Sequence, residues 1–483
     1  MAMYESIFQI IKNRIESGLL EEGTALPSRA DLSQEFGTSE KTIRHALALL
    51  EKNGFIETEQ RKRPVVRRPH DGHRATLSAL KRIDAGLTSD RIKAGVLLCY
   101  PLIKNGISLC TQRDLEVPRQ ILEIMKDADA FTFWKLSKKF LRFFVARNEN
   151  VLILRIVDSL GLSDLNPLYD NPQIRTRYWQ QLQALLQAIE IGGDLEALVF
   201  DDLSEIYGVV DGGIPAFRAI SDCPILPDRT QLEQSLDNND VQYSAVYMDI
   251  LGLIDAGQYR KKDQLPPHKE LQKQYGVSVN TTVRAIQILQ SWGVVKAVRG
   301  QGIFVEMDRK EIEAITIEPR LIACHVRRYL DTLECLSLTM EGIAASAAEA
   351  MDEASIAALQ AEVNRLWTTD YLYERTPALL LDFIISHVHN ETLDLIYSLL
   401  QRNFKIGRSL PGLLNTEKNE LNVSVHEQCL EVIETLASGD PLAFAEKCAA
   451  LFERIYRLVI EACRQLGYYE AAATIYDGRS LWK

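Results

Sequence analysis

One stretch of this 483-residue chain is written twice. Leu26–Phe55 aligns without a gap on Leu265–Val294, so that Pro27 meets Pro266, Gly37 meets Gly276, Ser39 meets Ser278 and Gly54 meets Gly293. A repeat of this length constrains architecture before any element is assigned. Each copy has to be one supersecondary unit, and the chain then holds two of them.

Each copy is patterned as a helix, a tight turn and a second helix. The first helix runs from Arg29 to Phe36 and from His268 to Tyr275, and ends at Gly37 or Gly276. Glycine enters the left-handed region that closes a helix and turns the chain. Ser39 or Ser278 then stands where an N-cap belongs. The second helix places Ile43, Ala46, Leu47 and Leu50 inward in copy one, and Thr282, Ala285, Ile286 and Leu289 in copy two, the i, i+3, i+4, i+7 pattern of one buried face. Glu40, Lys41, Thr42, Arg44 and His45 remain outside in copy one; Val279, Asn280, Thr281 and Arg284 do so in copy two. In a helix-turn-helix these first-turn residues reach base edges in the major groove, which makes DNA the expected partner.

A strand-turn-strand follows each helix pair. In copy two it spans Val294–Glu306, where Gly300 and Gly302 permit a tight hairpin with Arg299 at its tip. In copy one it spans Ile56–Arg68, the glycines are missing, and the tip is Arg61-Lys62-Arg63-Pro64, a positive cluster suited to phosphates or a minor groove.

With these residues in place, both copies resemble the winged-helix reading head of the GntR family of bacterial transcription regulators. Leu26-Pro27-Ser28, Thr42, Arg44 and Ala46-Leu47 match the family pattern in copy one; Leu265-Pro266, Lys269, Gly276-Val277-Ser278, Thr281, Ala285 and Gly300-x-Gly302-Ile-Phe-Val305 match in copy two. The resemblance implies DNA contacts from Arg29, Ser39, Lys41, Thr42, Arg44, His45, Arg61, Lys62 and Arg63 in one head. In the other it implies contacts from Lys269, Ser278, Asn280, Thr281, Arg284, Arg299, Gly300 and Gly302. The departures matter: the family's first-helix arginine is Ala30 in copy one, with Arg29 one place early, and the arginine after the cap serine is Glu40 or Val279. Altered contacts imply a non-consensus operator, or one head weaker than the other.

The chain's formal net charge of −11 argues against DNA only if charge is averaged. Between Val241 and Asp308 the basic residues outnumber the acidic ones, so the acid excess lies elsewhere. The eight cysteines are scattered with no Cys-x-x-Cys pair, and most sit in apolar helical context as small hydrophobes. No N-terminal apolar run and no stretch near the ~20 apolar residues of a membrane span is present, so a reduced, cytoplasmic protein is expected.

A long helical body follows each head. Turn-rich stretches near 67–72, 211–240 and 306–309 divide the chain into a winged-helix domain at 1–70, a helical body at 71–238, a second winged-helix domain at 239–308 and a second body at 309–483. The bodies repeat faintly: Phe143–Leu160 lines up with Phe383–Leu400, bringing Asn150 onto Asn390, and Leu182–Asp194 parallels Gln428–Asp440, with Tyr207 and Tyr456 following. The fold class is therefore mainly α, two winged helix-turn-helix domains each followed by an all-helical domain. Glu341–Leu359 and the segments around Asn390 and His426–Asp440 resemble the FadR-type effector domain, which implies a small-molecule effector in the bodies.

In many such domains an Asp and three His hold a metal. Carried over, those positions are Pro377, Leu381, Cys429 and Leu451, so no metal and no cofactor are expected. His387 and His389 are two apart and face different sides of a helix, which leaves them and His426 without a shared site. Arg327, Arg328 and Arg402 read as a solvated face, and the aromatic runs 131–134 and 371–373 as core. No phosphate loop, dinucleotide fingerprint, nucleophile elbow or zinc-protease motif is present, which argues against an enzyme.

These features lead to one reading: a sequence-specific regulator, a ligand-responsive repressor, with two heads on double-stranded DNA. Its two bodies would form an intrachain pseudo-dimer, with association into a homodimer open. The alternative is a tandem winged-helix scaffold that docks protein and not DNA.

Overall fold

A computed structural model describes residues 4, 7, 8, 11, 12, 15, 20, 22–35, 39–58, 62–67, 85–160, 165–167, 171–192, 217–219, 239–255, 257–313, 315, 319–370, 376–410, 413 and 419–475. Backbone contacts divide the chain into two units, 1–237 with 478–483, and 238–477. The turn signals at 68–72 and 211–215, together with Phe36, Gly37, Arg61, Gly193, Asp194, Tyr207 and Cys223, lie outside the described residues.

In the first unit, helical residues Ile7, Phe8, Ile11 and Ile15 pack on α1 (Arg29–Glu35) and α2 (Glu40–Lys52). Ile43, Ala46, Leu47 and Leu50 are buried together, the face expected from their spacing. The wing is short: β1 (Ile56–Glu57) pairs antiparallel with β2 (Val65–Val66), and Ala25 bridges to Val65 as a third strand.

The second unit repeats this architecture in fuller form. Here α8 (Asn239–Asp255) packs on α9 (His268–Tyr275) and α10 (Val279–Ser291), and β5 (Gln264–Leu265), β6 (Val295–Val298) and β7 (Gly302–Val305) form a sheet in the order β5-β7-β6. Registers agree at one constant offset: Ala25↔Val65 becomes Gln264↔Phe304, and Ile56↔Val66 becomes Val295↔Val305. Gly300 and Gly302 have φ of 77° and 127°, which lets the second wing close in a tight turn; the first wing carries no glycine at the corresponding positions.

The bodies correspond helix by helix. In unit one α3 (Ala85–Ser108), α4 (Glu116–Lys126), α5 (Ala130–Ala146), α6 (Val151–Ser159) and α7 (Pro172–Ile191) follow in order. In unit two, after the short α11 (Arg309–Glu313), come α12 (Pro319–Ala348), α13 (Glu353–Arg365), α14 (Thr376–Ser386), α15 (Glu391–Phe404) and α16 (Glu420–Ala437). Packing matches as well as order. α3 meets α5 and α6 as α12 meets α14 and α15, and α4 meets α5 and α7 as α13 meets α14 and α16. Asn150 and Asn390 cap α6 and α15 identically, each side-chain oxygen accepting from the amide three residues on at 3.0 Å. Both asparagines are buried, so each cap also satisfies a donor that water cannot reach.

The described residues of the two units differ after α6 and α15. Unit one adds an antiparallel ladder, β3 (Leu165–Pro167) on β4 (Phe217–Ala219), in a body otherwise read as helical. Unit two continues after α15 into a 3-10 turn at Lys405–Ser409; its α17 (Pro441–Gln465) and α18 (Tyr468–Ile475) follow α16, and the unit-one stretch that corresponds to them lies, β4 apart, outside the described residues. α12 packs against α17, and Leu333, Leu336, Met340 and Ile343 of the one and Phe444, Cys448, Leu451 and Phe452 of the other are all fully buried. Phe133 and Trp134 belong to the first body's core, whereas Phe131 is exposed and Tyr371 and Tyr373 lie outside the described residues.

Within unit two the head is joined to its body. α8 packs against the 3-10 turn, and the ring of His325 on α12 meets Ser244 on α8, Nε2 to Oγ, at 3.0 Å with both residues fully buried. Burial pushes the imidazole of His325 down to about 3, with the nearby charge of Arg328 acting in the same direction. An unfolded histidine titrates near 6.5, so below that pH the unfolded chain takes up a proton that the folded chain refuses. Stability is therefore full above about pH 6.5 and falls as pH drops toward 3, by about 1.4 kcal/mol per pH unit from this group. His325→Gln, which keeps a hydrogen-bonding head without the titration, is expected to lower that slope by the same amount. Urea midpoints of both proteins near pH 6.5 and near pH 5 measure it, and parallel slopes would refute a neutral buried imidazole.

Candidate nucleic-acid interface

The exposed side of each second helix is set by its cap and its buried stripe. Ser39 caps α2: its Oγ accepts from the Thr42 amide at 3.2 Å and lies 2.9 Å from Thr42 Oγ1. Ser278 does the same for α10, with the Thr281 amide at 3.2 Å and Thr281 Oγ1 at 2.8 Å. Gly276 closes α9 in the left-handed region at φ 62°, which turns the chain sharply enough for Ser278 to start the next helix.

On α2 the outward residues are Glu40, Lys41, Arg44 and His45, all exposed, with Thr42 half-buried and tied to its cap. His45 leans on the ring of Tyr4, edge-on at 5.8 Å. Arg29 is exposed at the start of α1. Beside it the Asp31 carboxylate accepts from the Ser28 hydroxyl at 2.6 Å and the Ser28 amide at 3.0 Å. Those bonds hold Asp31 below the usual carboxylate range, and Arg63 of the wing is close enough to add a smaller pull. Lys62 and Arg63 are exposed on the wing that bears them, next to α1. Lys41 and Arg44 of the helix and Lys62 and Arg63 of the wing are thus all exposed cations of the first head.

The second head is built alike and dressed differently. Asn280 is exposed and Val279 is 46% exposed; Val283 is half-buried and Gln287 exposed further along the same face. Arg284 stacks on Tyr243 of α8, its guanidinium carbon 4.0 Å from the ring centroid. By register Arg284 is the counterpart of His45, and Tyr243 of Tyr4, so this aromatic support recurs in both heads. The counterpart of Arg44 is Val283. Lys269 on α9 is exposed, as are Arg299 and Gly300 at the wing tip, while Gly302 is half-buried.

Sequence reasoning did not single out Tyr4, Tyr243 or Gln287 beside these faces. Tyr4 and Tyr243 support the second helix from a distant helix, and only the repeat of a tyrosine at the same offset signals it. Gln287 lies one turn beyond the residues that a first-turn search inspects. Arg402 is exposed on α15, and its guanidinium lies 3.1 Å from where a side chain on Gly276 would begin, so it stands beside the second head's turn. Arg327, unlike Arg402, is not a solvated residue, because its Nε lies 2.8 Å from the carboxylate of Asp331 and the pair is largely enclosed.

The four positions that would carry a metal in the resembling effector domain do not fit one. Pro377, Leu381, Cys429 and Leu451 are all buried in the second body's apolar core. Burial pushes the Cys429 thiol up to about 12, so it is protonated at neutral pH and is no thiolate ligand. His426 stacks flat on Trp367 at 4.0 Å, and His389 is exposed. Among the described residues no three metal-binding side chains come together, and no helix is long and apolar enough to cross a membrane.

Comparison with known proteins finds the family model for bacterial regulatory proteins, gntR family, at residues 3–66 and again at 242–305. The chain is 41% identical over 54 residues to the HTH-type transcriptional regulator GgaR of Escherichia coli K12, covering 11% of this chain and 22% of that protein. It is 31% identical over 72 residues to the HTH-type transcriptional regulator TreR of Bacillus subtilis, covering 15% and 30%. The chain thus matches less than a third of either relative's length. Among solved structures, Streptococcus agalactiae GntR is 16% identical with a TM-score of 0.22, over 44% of this chain and 99% of that one. E. coli McbR/YncC is 18% identical with a TM-score of 0.21, over 47% and 98%.

Both caps are testable apart from any ligand. Ser39→Ala or Ser278→Ala is expected to destabilise its own head by about 1 kcal/mol. Hydrogen exchange should quicken at the amides of Thr42 or Thr281, the donors that each cap satisfies. Unchanged exchange at both amides would mean that the caps do not hold the first turn.

Proposed function

The chain carries two GntR-family winged-helix domains, and on that premise we propose that it is a sequence-specific, DNA-binding transcriptional regulator, a ligand-responsive repressor. The observation that carries the reading is the exposed face of α2. Lys41 and Arg44 stand clear of the head's core on a helix whose first turn is pinned by Ser39, with the cationic wing beside it. A helix so oriented offers side chains to base edges, while Lys62, Arg63 and the neighbouring Arg61 offer charge to phosphates. A small-molecule effector in the helical bodies would supply the response, and its chemistry is open.

The reading is tested by selecting bound duplexes from genomic fragments and measuring affinity across a salt series. A regulator selects a defined sequence and loses affinity as salt rises. A chain that retains no DNA at any salt is instead a protein-docking scaffold. Arg44→Ala is expected to cost about 1–3 kcal/mol of operator affinity, the worth of a good base-edge pair. Neutralising Arg61, Lys62 and Arg63 together is expected to weaken binding to every sequence and to flatten the salt slope by up to about three units. A changed sequence preference with an unaltered slope would assign the wing to base readout.

A further inference from the structure

At four equivalent outward positions the two recognition helices carry opposite chemistry. Head one presents Glu40, Lys41, Arg44 and Ala48; head two presents Val279, Asn280, Val283 and Gln287. The first set holds three charges and the second none. Thr42 and Thr281 do not alter the contrast, since each hydroxyl is engaged with its cap serine. Arg284 is the one cation on the outside of α10's opening turns, and it is stacked on Tyr243 within its own head. Val279 is the unusual member of the second set. It is the first residue of its helix and 46% exposed, where an apolar side chain gains nothing from water.

Major-groove chemistry gives each set a different match. Arginine and lysine pair with guanine O6 and N7, and a carboxylate accepts from cytosine N4. Asparagine and glutamine pair with adenine N6 and N7, and an apolar side chain packs on the thymine C5 methyl. We propose that the two heads read different base pairs: head one a G·C-containing half-site through Lys41, Arg44 and Glu40, head two an A·T half-site in which Val279 covers a thymine methyl and Asn280 holds adenine. This rests on the DNA-binding reading and adds which bases each head selects. One chain would then fix both the sequence and the direction of its operator, because its ends could not be exchanged.

The full-length protein is used throughout. Selection from random duplexes should return sites with one G·C-bearing and one A·T-bearing half. In the selected duplex, deoxyuridine replaces thymidine in one half at a time, which removes only the methyl group. Replacement in the A·T half should weaken wild-type binding by about fourfold, the effect of losing one buried methyl, and should have no effect on Val279→Ala. Asn280→Ala should relax selection at one A·T pair, with about a tenfold loss of affinity. The converse variant, Glu40→Val, Lys41→Asn and Arg44→Val together, should change the selected G·C half to A·T. All of these positions are on the surface of their helices, so the variants should fold, and thermal melts check that they do. Matching halves in the selected sites, or a wild-type protein indifferent to uracil in both halves, would overturn the proposal while leaving DNA binding intact. Failure to select any sequence would overturn the DNA reading and this proposal together.

Discussion

Burial of Ile43, Ala46, Leu47 and Leu50 leaves α2 one rotational setting in its head, and the same four positions set α10. Each large apolar side chain so buried contributes about 1.5–3 kcal/mol, whereas an exposed ion pair contributes about 1 kcal/mol or less. The stripe therefore decides which side chains point away from the head, and the outward residues are free to vary without cost to the fold. Head two shows how much variation the stripe itself accepts. Thr282 replaces Ile43, fully buried, and its hydroxyl donates to the Val279 carbonyl at 2.8 Å while standing 3.1 Å from His268 Nδ1. A polar atom enters the core because its bonding is completed inside it.

The heads were legible in the sequence because their signals are local. Helix period, cap serine and closing glycine all fall within a few residues, and Ser278, Gly276 and the buried stripes stand where the spacing puts them. The second wing announced its turn through Gly300 and Gly302; the first wing lacks those glycines, and its strands shrink to two residues each. In the bodies, Asn150 and Asn390 were visible as aligned residues, and each proves to be a buried cap.

What escaped the sequence depends on residues far apart in the chain. Nothing in Leu165–Pro167, which contains a proline, signals a strand paired with Phe217–Ala219. The contacts of Ser244 with His325 and of Tyr243 with Arg284 join helices that no local pattern relates. The gap-free alignment pairs Arg44 with Val283 and Arg284 with His45, but only the structure shows that His45 and Arg284 each lie against a tyrosine ring.

The joint inside unit two carries a consequence for motion. At Gly407 on the 3-10 turn, a side chain would begin 2.5 Å from the ring of Tyr329, so turn and helix touch with no space between. Packed interiors of this kind resist gradual deformation. Because α8 rests on that turn, the second head shares the tumbling of its body and does not wander on a tether. The orientational freedom that a loosely hung head would surrender on meeting a partner has here been given up already, during folding.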